Sequence, residues 1–237
     1  MTSNPSEDLP ANRCSGQSTR TGKGRMTNSA IAKTGLRQKT DAIARGLFDT
    51  LYNRLAALYE PLLVKLLGYS GHEVVAEALC PFLEDLDGVV LDAGCGTGLT
   101  ALALQTCRPE LTIDGFDIAP DMVAIAEKSG AYRELMVADA TKPLPVERGT
   151  YAAAISSGLY TQGHVGAEAI APVLDALRPG GLFGFYVYEP IFEKLGFAGE
   201  LKRLVDDGAI TVLEEEEASH FRRLANQSCR VFVVRKS

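Results

Sequence analysis

The stretch VVLDAGCGTG, residues 89–98, decides the reading of this chain. A short apolar run from Val89 to Leu91 passes through Asp92 into a turn with Gly94, Gly96 and Gly98, then into an apolar-periodic segment, Leu99–Cys107. A buried strand that enters such a turn and leaves as a helix lets a ligand approach the backbone closely. It also aims the free amides of a helix N-terminus at an anionic group. Taken alone the loop has a second reading, glycines kept for steric reasons in an ordinary strand-to-helix turn.

Its surroundings favour the first reading. Downstream, Leu111–Asp117 reads as a strand, Pro120–Ser129 as a helix and Glu134–Ala138 as a strand. Tyr151–Ser156 is again strand-like, residues 167–177 are helical, and Leu182–Tyr188 is a strand. Short apolar strands alternating with helices predict an α/β fold, a parallel sheet covered by helices on both faces. Segments 209–217 and 229–235 read as two strands joined by a loop, hence an antiparallel hairpin. Asp117 ends the second strand, 25 residues after Asp92, where an acid can hold both ribose hydroxyls of an adenosine group. Asp139 and Ala140 follow the third strand and can offer a carboxylate to an adenine amino group and an amide to a ring nitrogen. Three successive strand ends thus deliver an acid to the carboxyl edge of the sheet, where open α/β folds bind ligands.

Charge then separates the adenosine ligands. A dinucleotide would bring a diphosphate to the glycine loop, where Asp92 repels it. The spacing here is G-x-G-x-G, and Leu99 stands where a third small residue would be. S-adenosylmethionine presents an ammonium, a sulfonium and a single carboxylate at that place, so an acid attracts it. S-adenosylmethionine is the expected cofactor.

With these residues in view the chain resembles the class I S-adenosylmethionine-dependent methyltransferases from about residue 86 to the end. VLDAGCGTG resembles that family's first motif, FDIAPDM (116–122) its second-strand acid, ADATKPLP (138–145) its adenine site and LRPGGLFGF (177–185) the turn into its fifth strand. The resemblance implies a seven-stranded, mostly parallel Rossmann-like sheet of order 3-2-1-4-5-7-6 with the last strand antiparallel. It also implies that Asp92, Gly94, Cys95 and Gly96 hold the methionine end and Asp117 the ribose. Ile118 and Met122 would wall the adenine, and Asp139 with Ala140 would meet its edge. YNRLAALYEPLLVKLLGYSG (52–71), SSGLYTQGHV (156–165) and YVYEPIFEKLGF (186–197) further resemble the Williams–Beuren syndrome candidate region 27 type of small methyltransferases. Asn53 and Glu60 replace the acids usual in the first of these segments.

Beyond the cofactor, Ser156 and Ser157 end the fourth strand beside the expected methyl group, and the loop to Val165 supplies Tyr160 and His164. Methyl transfer is an in-line displacement whose rate comes largely from holding the nucleophile in position, and a base is needed only where the acceptor must lose a proton. His164 reads either as that base, or a donor that orients the acceptor, or as a cap on the helix near Gly166. Tyr160 and Glu189 are the other catalytic candidates, and Glu189 reads equally as a solvated turn residue before Pro190. Tyr52 and Tyr59, at i and i+7 on the first helix, either close over the cofactor or pack that helix on the sheet. The Glu214–Glu217 run reads as a solvated stretch.

Composition bounds the rest. The 237 residues, 46% hydrophobic, support one substantial domain. Residues 1–40 hold seven Lys or Arg against Glu7 and Asp8 and contain no aromatic residue, so they read as a disordered basic tail, with a transit peptide as the alternative. Residues 41–237 form the methyltransferase domain, with an N-terminal helical extension at 41–86 and the cofactor-binding sheet at 87–237. Helices are expected within that extension at 41–67 and 72–86. Net charge is −6 overall but −11 beyond residue 40, which disfavours a nucleic-acid substrate. No run approaches the roughly 18 apolar residues of a membrane span. The five cysteines show no C-x-x-C pair, so neither a metal site nor a disulfide is expected, and the chain reads as a cytoplasmic monomer. The expected acceptor is a small molecule. Protein methylation and non-catalytic cofactor binding are the alternatives, since a fold does not dictate its substrate.

Overall fold

The computed structural model describes Val64 and residues 66–237. The helix expected at 41–67, with Tyr52 and Tyr59, and the tail at 1–40 lie outside that region, apart from the last residues of the helix. Seven strands make one sheet: β1 Val90–Ala93, β2 Ile113–Asp117, β3 Glu134–Val137, β4 Tyr151–Tyr160, β5 Leu177–Tyr188, β6 Ile210–Ser219 and β7 Ser228–Lys236. Their order is β3-β2-β1-β4-β5-β7-β6. The first five pair in parallel, while β7 runs antiparallel to both β5 and β6. This is the architecture implied by the resemblance.

Both faces are covered because side chains alternate along each strand. Val231 and Val233 of β7 face one apolar layer, and Phe232 and Val234 face the other. The first layer receives α1 (Gly71–Leu79) and α2 (Leu99–Cys107) through Val75, Leu79, Ala101 and Leu104. The second receives α4 (Ile170–Ala176), α5 (Glu189–Phe192) and α6 (Phe197–Asp206) through Val173, Phe192, Phe197 and Leu201. Between these in sequence, α3 (Pro120–Lys128) follows β2 and packs against it and β3. A Cβ on Gly184 would come within 2.9 Å of the Leu79 Cβ, so this glycine lets α1 lie close on β5.

Several expectations change. The helix expected at 72–86 is α1 followed by a 3-10 turn, Cys80–Leu83. Helix α6 was not expected, although Phe197, Leu201 and Leu204 carry its buried face. The fourth strand continues past Ser156 to Tyr160. Cys80 and Cys107, which no spacing linked, lie side by side with their Cα atoms 6.6 Å apart. They are 27 residues apart in sequence, but α1 and α2 pack side by side and bring their C-terminal ends together. Among the described residues no helix is long and apolar enough to cross a membrane.

Candidate functional site

The carboxyl ends of β1 to β4 surround a cavity of about 300 Å³. Its floor is the glycine loop. Gly94, Gly96 and Gly98 have φ of +72°, +52° and +97°, backbone that favours glycine. The loop is pinned to β2, because Gly94 and Cys95 both donate to the Phe116 carbonyl, at 2.9 and 2.8 Å. Gly96 donates to Asp117 Oδ2 at 2.9 Å, and Ala119 donates to Oδ1 at the same distance. Loop and strand-end acid therefore form one rigid unit. Burial raises the Asp117 pKa against the opposing pull of the Ala119 and Gly96 amides.

After β3, Asp139 accepts from the Thr141 amide and hydroxyl and pairs with Lys142 at 3.0 Å. The Thr141 hydroxyl bond is the largest cause of its lowered pKa. Ile118, exposed, forms part of the wall, as do Asp117, Asp139 and Thr141. Met122 does not. It is wholly buried with Ala119, and Ala140 likewise packs into the core.

Asp92 is placed differently from its expected contact with the methionine end. It is fully buried beneath the loop and does not line the cavity. Its Oδ2 accepts from the Tyr132 hydroxyl at 2.7 Å, whereas Oδ1 meets no hydrogen-bond partner of good geometry. The Tyr132 ring fits because Asp92 pairs in register with Gly115, where a Cβ would come within 2.8 Å of that ring. Burial pushes the Asp92 pKa up to about 7; the Tyr132 hydroxyl opposes this and Asp117 adds to it. Cys95 is buried in the loop, and burial drives its thiol pKa far up, so it stays protonated.

On the far side, the end of β4 supplies Ser157, Gly158 and Leu159, followed by Gly163, His164 and Val165. His164 Nδ1 lies 2.8 Å from the Gly158 carbonyl and 3.2 Å from the Thr161 hydroxyl. A carbonyl can only accept, so Nδ1 carries the proton and the lone pair falls on Nε2. His164 is not the helix cap: the 3-10 turn at Ala167 has no side-chain cap, and Glu168 accepts from the Gly166 amide. Ser156 donates to the Ala93 carbonyl at 2.8 Å and is buried, tying β4 to β1 beneath the cavity.

Two expected catalytic residues lie elsewhere. Tyr160, as part of β4, is turned into the core, where it donates to the Ala169 carbonyl at 3.3 Å and packs edge-on against Phe185 and Phe197. Glu189 opens α5 and accepts two bonds from Arg230, at 2.7 and 2.8 Å, which hold its pKa low. Conversely, Tyr69 and Glu168 line the cavity without having been singled out. Tyr69 follows Gly68 at a helix stop, a signal of chain direction but not of where its ring goes. A larger cavity of about 380 Å³ between α1 and α2 holds none of the strand-end acids.

The arrangement agrees with the comparisons. Residues 90–181 match a family model described as a methyltransferase domain. The chain carries a methyltransferase domain. Its cofactor is S-adenosylmethionine, and the residues suit it: a glycine-rich loop with Asp117 and Asp139 at the neighbouring strand ends. A search of the curated proteins finds no match. Among solved structures the chain is similar in fold to the [4+2]-cyclase SpnF, with TM-score 0.57 and 19% identity over 80% of this chain and 94% of that one. It is also similar to a putative methyltransferase in complex with the Haloferax volcanii Trm112 activator, with TM-score 0.56 and 17% identity over 78% and 95%. A third is the magnesium protoporphyrin IX methyltransferase of Synechocystis PCC 6803 with bound SAH, with TM-score 0.51 and 16% identity over 70% and 84%.

Proposed function

We propose that this enzyme transfers a methyl group from S-adenosylmethionine to a small molecule, acting as a cytoplasmic monomer. The observation that carries the reading is the division of one cavity of about 300 Å³. Its β1–β3 side holds the groups suited to an adenosine, and its β4 side holds hydroxyls and an imidazole. The cofactor supplies an activated methyl group. The protein's own part is to orient the acceptor and, where the acceptor is protonated, to take its proton at His164 Nε2. Asp117 and the loop hold the cofactor, with Ile118 and Asp139 beside the adenine. The magnesium protoporphyrin IX methyltransferase, similar in fold, acts on a small molecule by its name. The subtype resemblance through residues 52–71, 156–165 and 186–197 is retained as part of the proposal.

The test is to incubate the protein and a Gly96→Asp variant with a cell extract and isotopically labelled S-adenosylmethionine. Label should appear in a low-mass metabolite only with the wild type. Label confined to protein bands would replace this reading with protein methylation. Cofactor affinity without label in any fraction would make the protein a non-catalytic binder.

A further inference from the structure

We propose that Tyr69 positions the acceptor, and that this site takes an uncharged or cationic acceptor rather than a carboxylate or phosphate. The inference deepens the small-molecule reading above and rests on it. The Tyr69 hydroxyl lies 2.8 Å from Ser157 Oγ and 3.1 Å from the Tyr186 hydroxyl. Ser157 belongs to β4 and Tyr186 to β5, whereas Asp117 and Asp139 stand at the ends of β2 and β3. Sheet order therefore places the hydroxyls across the glycine loop from the adenosine acids. A cofactor held at those acids and running past the loop has its reactive end toward Tyr69.

The tyrosine is held in place before any ligand arrives. Its backbone bridges to Phe221, Ser70 donates to the His220 carbonyl at 2.9 Å, and Arg222 donates to the Gly68 carbonyl at 2.8 Å. Its ring packs against Phe221 at 5.3 Å and His72 at 5.5 Å. The loop of the β6–β7 hairpin thus fixes the ring, and little side-chain entropy remains to be lost on binding. A Cβ on Gly158 would sit 3.3 Å from the Tyr69 hydroxyl, so the glycine makes room for it. Each hydroxyl of the group can turn a proton or a lone pair toward a neighbour, which suits an acceptor hydroxyl or amine.

Charge sets the class. On the β4 side the described lining carries the Glu168 carboxylate and no Lys or Arg, while Asp117 and Asp139, the latter paired with Lys142, stand across the loop. An anionic acceptor would find repulsion and no cationic partner, whereas a neutral or cationic one escapes that cost.

Two cofactor analogues test this by calorimetry on the full chain. Sinefungin carries an amine where the transferred methyl would be; S-adenosylhomocysteine carries nothing there. Wild type should bind sinefungin at least as tightly as S-adenosylhomocysteine. Tyr69→Phe should weaken sinefungin about 10-fold, the loss of one hydrogen bond to a charged group, and leave S-adenosylhomocysteine within about 2-fold. Ser157→Ala should show a smaller loss, also confined to sinefungin, and decides the matter if Tyr69→Phe is poorly folded. Equal losses for both analogues, or none, would overturn the role of Tyr69. Sinefungin binding 10-fold more weakly than S-adenosylhomocysteine to wild type would overturn the charge argument. If neither analogue binds wild type, the cofactor reading itself has failed.

Discussion

Asp92→Asn should stabilise the ligand-free protein at pH 8 relative to pH 5. Asp92 is fully buried, and burial lifts its pKa to about 7, well above the usual carboxylate range. The native state therefore holds this proton over a range where the unfolded chain has released it. For an acid whose folded pKa is raised, stability falls as pH rises from the unfolded pKa through the folded one, and the full penalty stands above pH 7. A shift of about three units corresponds to roughly 4 kcal/mol at pH 8 and about 1.5–2 kcal/mol at pH 5, a difference of roughly 2–3 kcal/mol. Asparagine keeps an acceptor for the Tyr132 hydroxyl, has almost the same shape and does not ionise, so the variant should lose this pH dependence. Its melting temperature relative to wild type should rise by roughly 5–10 °C between pH 5 and pH 8. Differential scanning calorimetry at both pH values measures it. A difference between variant and wild type that does not change with pH would refute the assignment of a raised pKa to Asp92.

Asp117→Ala should weaken S-adenosylmethionine by about 1.5–3 kcal/mol in a calorimetric titration, and unchanged affinity would remove Asp117 from the site. It should also lower the melting temperature, because Gly96 and Ala119 lose their acceptor. His164→Ala should leave cofactor affinity near wild type and lower turnover by roughly 10²–10⁴-fold, with loss of the acid limb of the kcat/KM profile. Full turnover with the profile intact would make the imidazole a brace for the loop. Deleting residues 1–25 should leave melting temperature and cofactor affinity unchanged, and a loss of either would show that this segment serves the domain.

The cofactor half of the site was legible because it depends on local chemistry. Glycines 94, 96 and 98 and the acids at 117 and 139 sit where strands end, and strand ends follow from periodicity. The acceptor half was less so. Tyr160 looked like a loop residue because the apolar run thins out after Ile155, yet β4 continues and turns its side chain into the core. Glu189 looked available because Arg230, 41 residues on, meets it only through the pairing of β5 with β7. Tyr69 meets Ser157 across 88 residues of chain, and Cys80 meets Cys107 only because two helices pack together. None of these pairings leaves a trace in spacing. Helix α6 is the opposite case, since Phe197, Leu201 and Leu204 already carry a helical period.

The acceptor side is organised around an irregularity in β4. Pairing with β5 is regular from Ala153 to Ser156 and resumes at Tyr160 with a shifted register, so Ser157, Gly158 and Leu159 stand out of the ladder. Bulges of this kind re-aim side chains next to active sites. Here the displaced Gly158 carbonyl accepts from the Thr161 hydroxyl at 2.9 Å and from His164 Nδ1, which fixes the imidazole tautomer. The same glycine, at φ +84°, leaves room for the Tyr69 hydroxyl, and the preceding Ser157 bonds to it. Leu159 lies against Gly94, where a Cβ would meet it at 3.2 Å, so the segment also contacts the cofactor loop. One three-residue departure from regular pairing thus ties the imidazole, the tyrosine and the glycine loop together. The uninterrupted pairing of β2 with β1 and β3 places Asp117 and Asp139 at neighbouring strand ends. On the proposed reading, a change confined to Ser157, which bonds to Tyr69, should alter how the acceptor is held without touching the Leu159 contact to the glycine loop.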